Sequence, residues 1–526
     1  MSYCVKNLKL FIDSRKNERY TIPCPAYRDG QISIFITEDK MKHAKFFAVT
    51  LVVLAITTSV FAESTPISGL SFFKLDNGLE VFVLENHTVP LTRIQITFRC
   101  GALTQTPETC GIFHLYEHML FKGNAKYKTE TEFAAAMTEL GIAGWNGSTS
   151  TEYVEYHITL PSNKTGKGLE FWSYAMRSPL FDKEELEIEK DVVCNEINGD
   201  RSRPTAPIFE MKTKMLFPKF PWRRDVGGYD AVIRAATQEM LKRMQKEYYI
   251  PNNAAIFVSG DVKPGEVLAE VKKYYGDWEK GKDPWNPMPE PQLMPAVKEP
   301  VYLVYPDTGF YQGLSVFYMY MRGPDVVREP KPTYAADVWG TLYGMPAGKF
   351  KENIFKAVPN LYEKDQTWAG YYTQRDGGEL QFGTVALIDS DSSTAKRAKD
   401  FTNAVYAEVK NTVEDKAYFE NKDFASVKRQ LEDEQILSLE NPDEFISTLS
   451  FWWSSASADY FFKYLPNMNK VGKADIDTFL QTYVLENQPI VIIRMNAADY
   501  KREAKNFKAE GFKVITRENC FWWGDK

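Results

Sequence analysis

Histidine is nearly missing from this chain: there are five in 526 residues. Basic excess is missing too, because 64 Lys and Arg against 70 Asp and Glu leave a formal charge of −6, which offers no field for nucleic acid. The apolar run at 46–60 stops at about 15 residues, short of the ~20 that a membrane span needs, so no stable span is expected in the mature chain. Cysteine is sparse, with six in all. What remains, 44% apolar and 25% charged residues, is the make-up of an ordinary soluble globular protein, and the length predicts more than one domain.

Against that scarcity, His114-Leu115-Tyr116-Glu117-His118 stands out. Such a spelling arises by accident in a chain of this length and composition only on the order of a few times per thousand. On a helix, positions i and i+4 share a face, so His114 and His118 can aim two ring nitrogens at one metal ion. Glu117 lies on the adjoining stripe, where a carboxylate can take a proton from a water whose pKa zinc lowers from 15.7 to about 7. The H-x-x-E-H order is the inverse of the commoner H-E-x-x-H zinc motif. A catalytic zinc site needs a third protein ligand. The best source is the acidic stretch 184–197, where Ile188, Val192, Val193 and Ile197 recur at helical spacing and Glu189 and Glu196 lie two turns apart on one face. One of the two would ligate, and the other would orient a ligand or water from behind.

With these residues in hand, the chain resembles the pitrilysin, insulin-degrading enzyme and mitochondrial processing peptidase family of inverted-motif zinc metallopeptidases. Gly101 and Pro107-Glu108-Thr109-Cys110-Gly111-Ile112-Phe113-His114 resemble the family's approach to its zinc helix, and Met119-Leu120-Phe121-Lys122-Gly123 its exit. Gly144-Trp145-Asn146-Gly147-Ser148-Thr149-Ser150 is similar to its substrate-bordering strand, and 227–229 and 248–262 to later landmarks. The resemblance covers 70–526 and implies zinc held by His114, His118 and Glu196, which falls 78 residues after His118. It implies Glu117 as the water-activating base, Glu189 as its companion glutamate, and Asn146 as a residue that aligns a peptide substrate. The family's second-half Arg and Tyr, seven residues apart, fall on Phe355 and Tyr362, so the Tyr, a possible oxyanion donor, is matched and the Arg is not. Lys356 would point about 100° away from the gap on a helix.

The expected fold is α+β: two homologous domains, each an antiparallel-rich sheet with helices packed on it, which the resemblance implies are together half of a clamshell. Residues 70–75 and 79–85 around Asp76-Asn77-Gly78 predict a hairpin, and 92–99 and 153–160 predict strands. Thr129-Glu130-Thr131-Glu132 spells a capping box. Six prolines within 283–300 make that segment the linker between a zinc-binding domain at 63–282 and a metal-free one at 301–526. Residues 483–493 echo 249–258 at an offset of 234, which favours duplication.

Met41-Lys42-His43-Ala44-Lys45, the apolar run and Phe61-Ala62-Glu63 have the three parts of a secretory signal peptide at 41–62, with 1–40 expected to be an upstream extension from a misassigned start. A periplasmic or secreted protein is expected. In such a compartment Cys100 and Cys110 either pair or remain buried free thiols. The sequence predicts an exported zinc endopeptidase, and the resemblance, through the family's enclosed chamber, implies unfolded peptides as substrates and a homodimer or a heterodimer with a related chain. Two rivals stand beside it: a non-catalytic assembly subunit of the same fold, and a peptide-binding protein with a structural zinc.

Overall fold

The computed structural model describes residues 63–346, 348–389 and 392–524, together with two short strands, β1 (Tyr20–Ile22) and β2 (Ile32–Ile34), that pair antiparallel. Residues 62–526 form one compact unit and 1–61 another. The expected signal segment lies outside the described residues, apart from its neighbour Glu63. Among the described residues, no helix is long and apolar enough to cross a membrane.

The first half is built on seven strands: β3 (Glu63–Ser64), β4 (Leu70–Lys74), β5 (Glu80–Glu85), β6 (Leu91–Phe98), β7 (Gly144–Thr149), β8 (Val154–Pro161) and β9 (Ala254–Gly260). Their order is β3-β4-β5-β9-β6-β8-β7. The predicted hairpin is present as β4 and β5, joined through Gly78 at φ 90°, where a side chain would be strained. Along β8, Val154, Tyr156, Ile158 and Leu160 face the core and alternate with half-buried residues, whereas β9 is buried along almost its whole length because β5 and β6 flank it.

The second half repeats the plan with β10 (Val301–Asp307), β11 (Leu314–Arg322), β12 (Trp368–Tyr372), β13 (Glu379–Leu387), β14 (Ile490–Asn496) and β15 (Lys513–Val514) in the order β12-β13-β11-β14-β10-β15. In both sheets, the first long strand of the shared core pairs parallel with the last (β5 with β9, β10 with β14). The next pairs antiparallel with that last strand (β6 with β9, β11 with β14), and two further antiparallel strands follow outward. The echo between 249–258 and 483–493 marks the entry into β9 and β14, the matched parallel strands.

The halves are locked by exchanged helices. Helix Ala206–Leu216 of the first half puts Ile208, Met211 and Leu216 into a cluster with Leu303, Tyr305, Tyr320, Ile490 and Ile492 of the second sheet. Helix Pro442–Ser455 of the second half puts Phe445, Ile446, Leu449 and Trp453 against Phe82, Leu84 and Phe257 of the first. Trp453 is 1% exposed, so the aromatic run 451–453 serves this packing. The proline-rich strap touches both halves: Trp285 Nε1 donates to the Arg99 carbonyl at 3.1 Å, and Gln292 N donates to Asp376 Oδ1 at 2.9 Å.

Candidate metal centre

The H-x-x-E-H motif lies on helix Ile112–Leu120, which leaves β6 and packs on β7. Ile112, Phe113, Leu115, Tyr116, Met119 and Leu120 are buried, which leaves His114 and Glu117 to line an open cavity of about 490 Å³, with His118 one turn on from His114 beside Glu196. The acidic stretch is helix Lys183–Ser202, started by Asp182, whose side chain accepts from Glu184 N and Glu185 N. Val193 and Ile197 are buried as the periodicity predicts, but Ile188 and Val192 are 58% and 43% exposed. Leu186, Glu189, Lys190 and Cys194 turn inward instead.

The two helices bring their polar groups together. One nitrogen each from His114 and His118 and one oxygen from Glu196 lie within 4.8 Å of one another. His118 Nε2 is 3.4 Å from Glu196 Oε2, and His114 Nε2 is 3.9 Å from Glu196 Oε1. Behind them, His118 Nδ1 meets Glu189 Oε2 at 3.0 Å, a contact that selects the Nδ1–H tautomer and leaves the Nε2 lone pair facing Glu196. Lys122 Nζ completes the chain at 2.8 Å from Glu189 Oε1.

Burial, then the neighbouring His118, lowers the His114 pKa to about 4, so its ring is neutral and able to donate a lone pair at ordinary pH. For His118, burial pulls the pKa down, but the hydrogen bond to Glu189 and the charges of Glu117, Glu189 and Glu196 more than offset it, and the net direction is up. Burial works against the Glu189 carboxylate as well, yet the hydrogen bonds from His118 and Lys122 hold it below the usual range. This set of two imidazoles and a carboxylate, with the rear nitrogen of one imidazole held by a second carboxylate, fits zinc by donor type and by convergence.

Glu117 is set apart from the donor set by a partner of its own. Thr149 Oγ1 donates to Glu117 Oε2 at 2.6 Å, and a Cβ at Gly147 would stand 3.0 Å from Glu117 Oε1. Gly147 and Thr149 are two apart on β7, so the strand's period of two places both against this carboxyl. Burial raises the Glu117 pKa, against the lowering pull of Thr149 and His118. A carboxyl of raised pKa, held on one oxygen and open on the other, is suited to carry a proton.

Asn146 is exposed on β7, the outermost strand of its sheet, where it pairs with His157 of β8. Tyr362 does not line the cavity. It is 47% exposed in the second half, where its backbone N–H donates to the Val385 carbonyl of β13 at 2.8 Å. Phe355 is 41% exposed on helix Lys349–Ala357, and Lys356 pairs with Glu352 at 3.0 Å instead of substituting for the unmatched Arg. Cys100, Cys110, Cys194 and Cys520 are free and buried, so of the two alternatives for Cys100 and Cys110 the unpaired one is observed, and Cys194 lies outside the donor cluster.

Sequence reasoning missed Thr149, Lys122 and the cavity wall formed by Arg201, Glu210, Arg224 and Asp225. Thr149 could have been found from its spacing to Gly147. Glu210, raised to about 7 by burial and by the charge of Asp225, carries no local signal.

Residues 81–225 match the profile of the insulinase family, peptidase family M16, and residues 235–431 match that of the M16 peptidase inactive domain. An uncharacterised zinc protease of Bacillus subtilis (strain 168), YmxG, is 27% identical over 211 residues, 40% of this chain and 51% of that protein. The chain spans about half the length of the bacterial relatives it matches first. Among solved structures, a protease from Helicobacter pylori aligns with TM-score 0.66 at 19% identity over 82% of this chain and 100% of that one. The first half of the periplasmic protease PqqL from Escherichia coli aligns with TM-score 0.65 at 16% identity over 86% of this chain and 97% of that one.

Proposed function

The chain belongs to the M16 peptidase family, and from that premise we propose that it is an exported zinc endopeptidase that hydrolyses unfolded peptides. The observation that carries the proposal is the convergence of His114, His118 and Glu196 within 4.8 Å, beside a Glu117 carboxyl that Thr149 holds on one oxygen only. Zinc bound by those three residues would supply a Lewis acid and bring the pKa of a water to about 7.

The remaining work falls to the chain's own groups. The free oxygen of Glu117 takes the proton of the attacking water and returns it to the leaving amine, a cycle that its raised pKa favours. Glu189 and Lys122 keep His118 in one tautomer and one orientation. The exposed edge of β7 accepts an extended peptide as an added strand, so the Asn146 backbone fixes the peptide's course and leaves sequence preference loose.

Tyr362 is not among the residues that line the cavity and is exposed, which supports its delivery, as an oxyanion donor, to the site of a partner subunit. A homodimer or a heterodimer with a related chain would then enclose a chamber that admits unfolded peptides. The sequence pattern at 41–62 and the likeness to half of a protein described as a periplasmic protease support export. Phe355 at the position of the family's Arg favours the second reading, an assembly subunit without turnover.

Metal analysis combined with hydrolysis of an unstructured quenched peptide, with Glu117→Gln as control, separates these readings. Turnover abolished by the substitution supports the peptidase. Zinc without turnover supports a structural metal in a peptide binder, and neither supports the assembly subunit.

A further inference from the structure

One buried residue that is not a ligand links the approach to the His114 helix with the Glu196 helix. It is Asp225, in the loop 225–228, whose Gly227 lies between Gly111, the cap of the first helix, and Ile197 of the second. Its backbone carbonyl accepts from Gln105 Nε2 at 3.0 Å and from Cys110 Sγ at 3.5 Å, while Gln105 Oε1 accepts from Gly111 N at 2.7 Å, at the start of the His114 helix. On the other side, Asp225 Oδ1 lies 3.4 Å from Arg201 Nη2, which sits on the Glu196 helix five residues past Glu196 and also donates to the Gly228 carbonyl. The loop is held tightly: Gly228, at φ +70°, leaves no room for a Cβ against the Cys110 carbonyl, and a Cβ at Gly227 would stand 3.1 Å from Ile197.

The other oxygen of that carboxylate, 3.5 Å from Arg201 Nη2, has its shorter partner in a residue distant in sequence. Trp522 Nε1 donates to Asp225 Oδ2 at 2.8 Å across 297 residues of sequence. The indole sits 5.9 Å from the Trp222 ring and 5.6 Å from Tyr229. Its neighbour Trp523 stacks on Tyr229 at 5.4 Å, with the Arg201 guanidinium 4.4 Å over it. A terminal segment that only covered apolar surface would need no N–H aimed at a buried carboxylate. Such a donor, in a low-dielectric setting, holds its acceptor more firmly than it would in water, and its loss leaves a buried acceptor oxygen without it.

We propose that Trp522 is a positioning residue of the metal centre, acting through Asp225 and Arg201 to fix the helix of His114 and His118 against the helix of Glu196. The C-terminal segment thereby sets the zinc affinity of the first half. This inference rests on the zinc reading above, and the test keeps the two apart.

Zinc dissociation constants are measured on the full chain by competition with a chromophoric chelator, for the wild type, Trp522→Phe, Asp225→Asn and the double variant. Asn519→Ala serves as a control in the same segment. Trp522→Phe keeps an aromatic ring and removes the N–H, and should weaken zinc roughly tenfold, the scale of outer partners of metal ligands. The double variant should be no weaker than the worse single one, and Asn519→Ala should stay within about twofold, since that exposed side chain meets the backbone of Val514 and Thr516 and not the Asp225–Arg201 pair. The visible bands of the cobalt(II)-substituted protein should shift in Trp522→Phe, a change that a merely stabilising tail would not produce. Should that variant fail to fold, Asp225→Asn against Asn519→Ala carries the same comparison. Wild-type affinity with an unshifted cobalt spectrum in Trp522→Phe, or additive losses in the double variant, overturns this inference alone. Absence of zinc binding in the wild type overturns it together with the zinc reading.

Discussion

The two halves share a core strand plan, and the difference that bears on chemistry lies at the first long helix of each. In the first half, the first α-helix after β6, Ile112–Leu120, turns His114 and Glu117 into an open cavity and His118 toward Glu189 and Glu196. In the second half, the helix at the matching place between β11 and β12, Pro330–Gly344, spends its faces on packing: Thr333, Ala336, Val338, Trp339 and Tyr343 are fully buried, and Trp339 meets Tyr343, Phe382 and Phe479. Its one carboxylate, Asp337, is closed by Tyr464 at 2.9 Å. The lesson is that the sheet supplies a platform, and chemistry depends on whether the helix laid on it needs all its faces for the core.

The contrast breaks first at the proton carrier. Glu117→Gln should reduce hydrolysis of a quenched unstructured peptide by roughly 10²–10⁴-fold, with zinc content unchanged in the same samples. A loss of metal instead would mean that Glu117 belongs to the donor set.

Next comes the packing that ties the halves together. Trp453→Ala removes an indole that is 1% exposed, donates to Glu80 Oε2 at 2.8 Å and lies under the Arg99 guanidinium at 3.8 Å. It should cost about 3–5 kcal/mol in denaturant unfolding, with zinc stoichiometry kept in the folded fraction. Glu189→Gln weakens the hold on His118 without touching the ligands themselves, and chelator competition should find zinc about 10–100-fold weaker.

The last effect belongs to the second-half helix. Burial raises Asp337 from 3.8 to about 7, against the hydrogen bond from Tyr464. A carboxyl whose folded pKa lies above its unfolded one contributes stability below the unfolded value and loses it as pH rises through the folded value. Asp337→Asn should therefore match the wild type in unfolding near pH 3.5 and exceed it by at most about 4 kcal/mol near pH 8, less as water screens the half-buried carboxyl. An equal gap at both ends would show that the effect is not one of ionisation.

Local rules carried the sequence a long way toward this structure. The Asn-Gly hairpin, the Thr129 cap that accepts from Glu132 N with Gly141 left-handed at the helix end, and the two-turn spacing of Glu189 and Glu196 all depend on residues close in sequence. The exchange of helices Ala206–Leu216 and Pro442–Ser455 was not legible, because an apolar stripe states that it must be covered and not by which sheet. For the same reason Ile188 and Val192 looked like core residues and are exposed. The helices between Thr394 and Leu480 went unassigned. The Asp225 node joins positions as far apart as 105 and 522, and no spacing rule links those.

The most direct test is an anomalous difference map at the zinc absorption edge from crystals of the zinc-loaded protein. The account predicts one strong peak within coordination distance of His114 Nε2, His118 Nε2 and a Glu196 carboxylate oxygen, with His118 Nδ1 still on Glu189. A peak elsewhere, or none at saturating zinc, would contradict it.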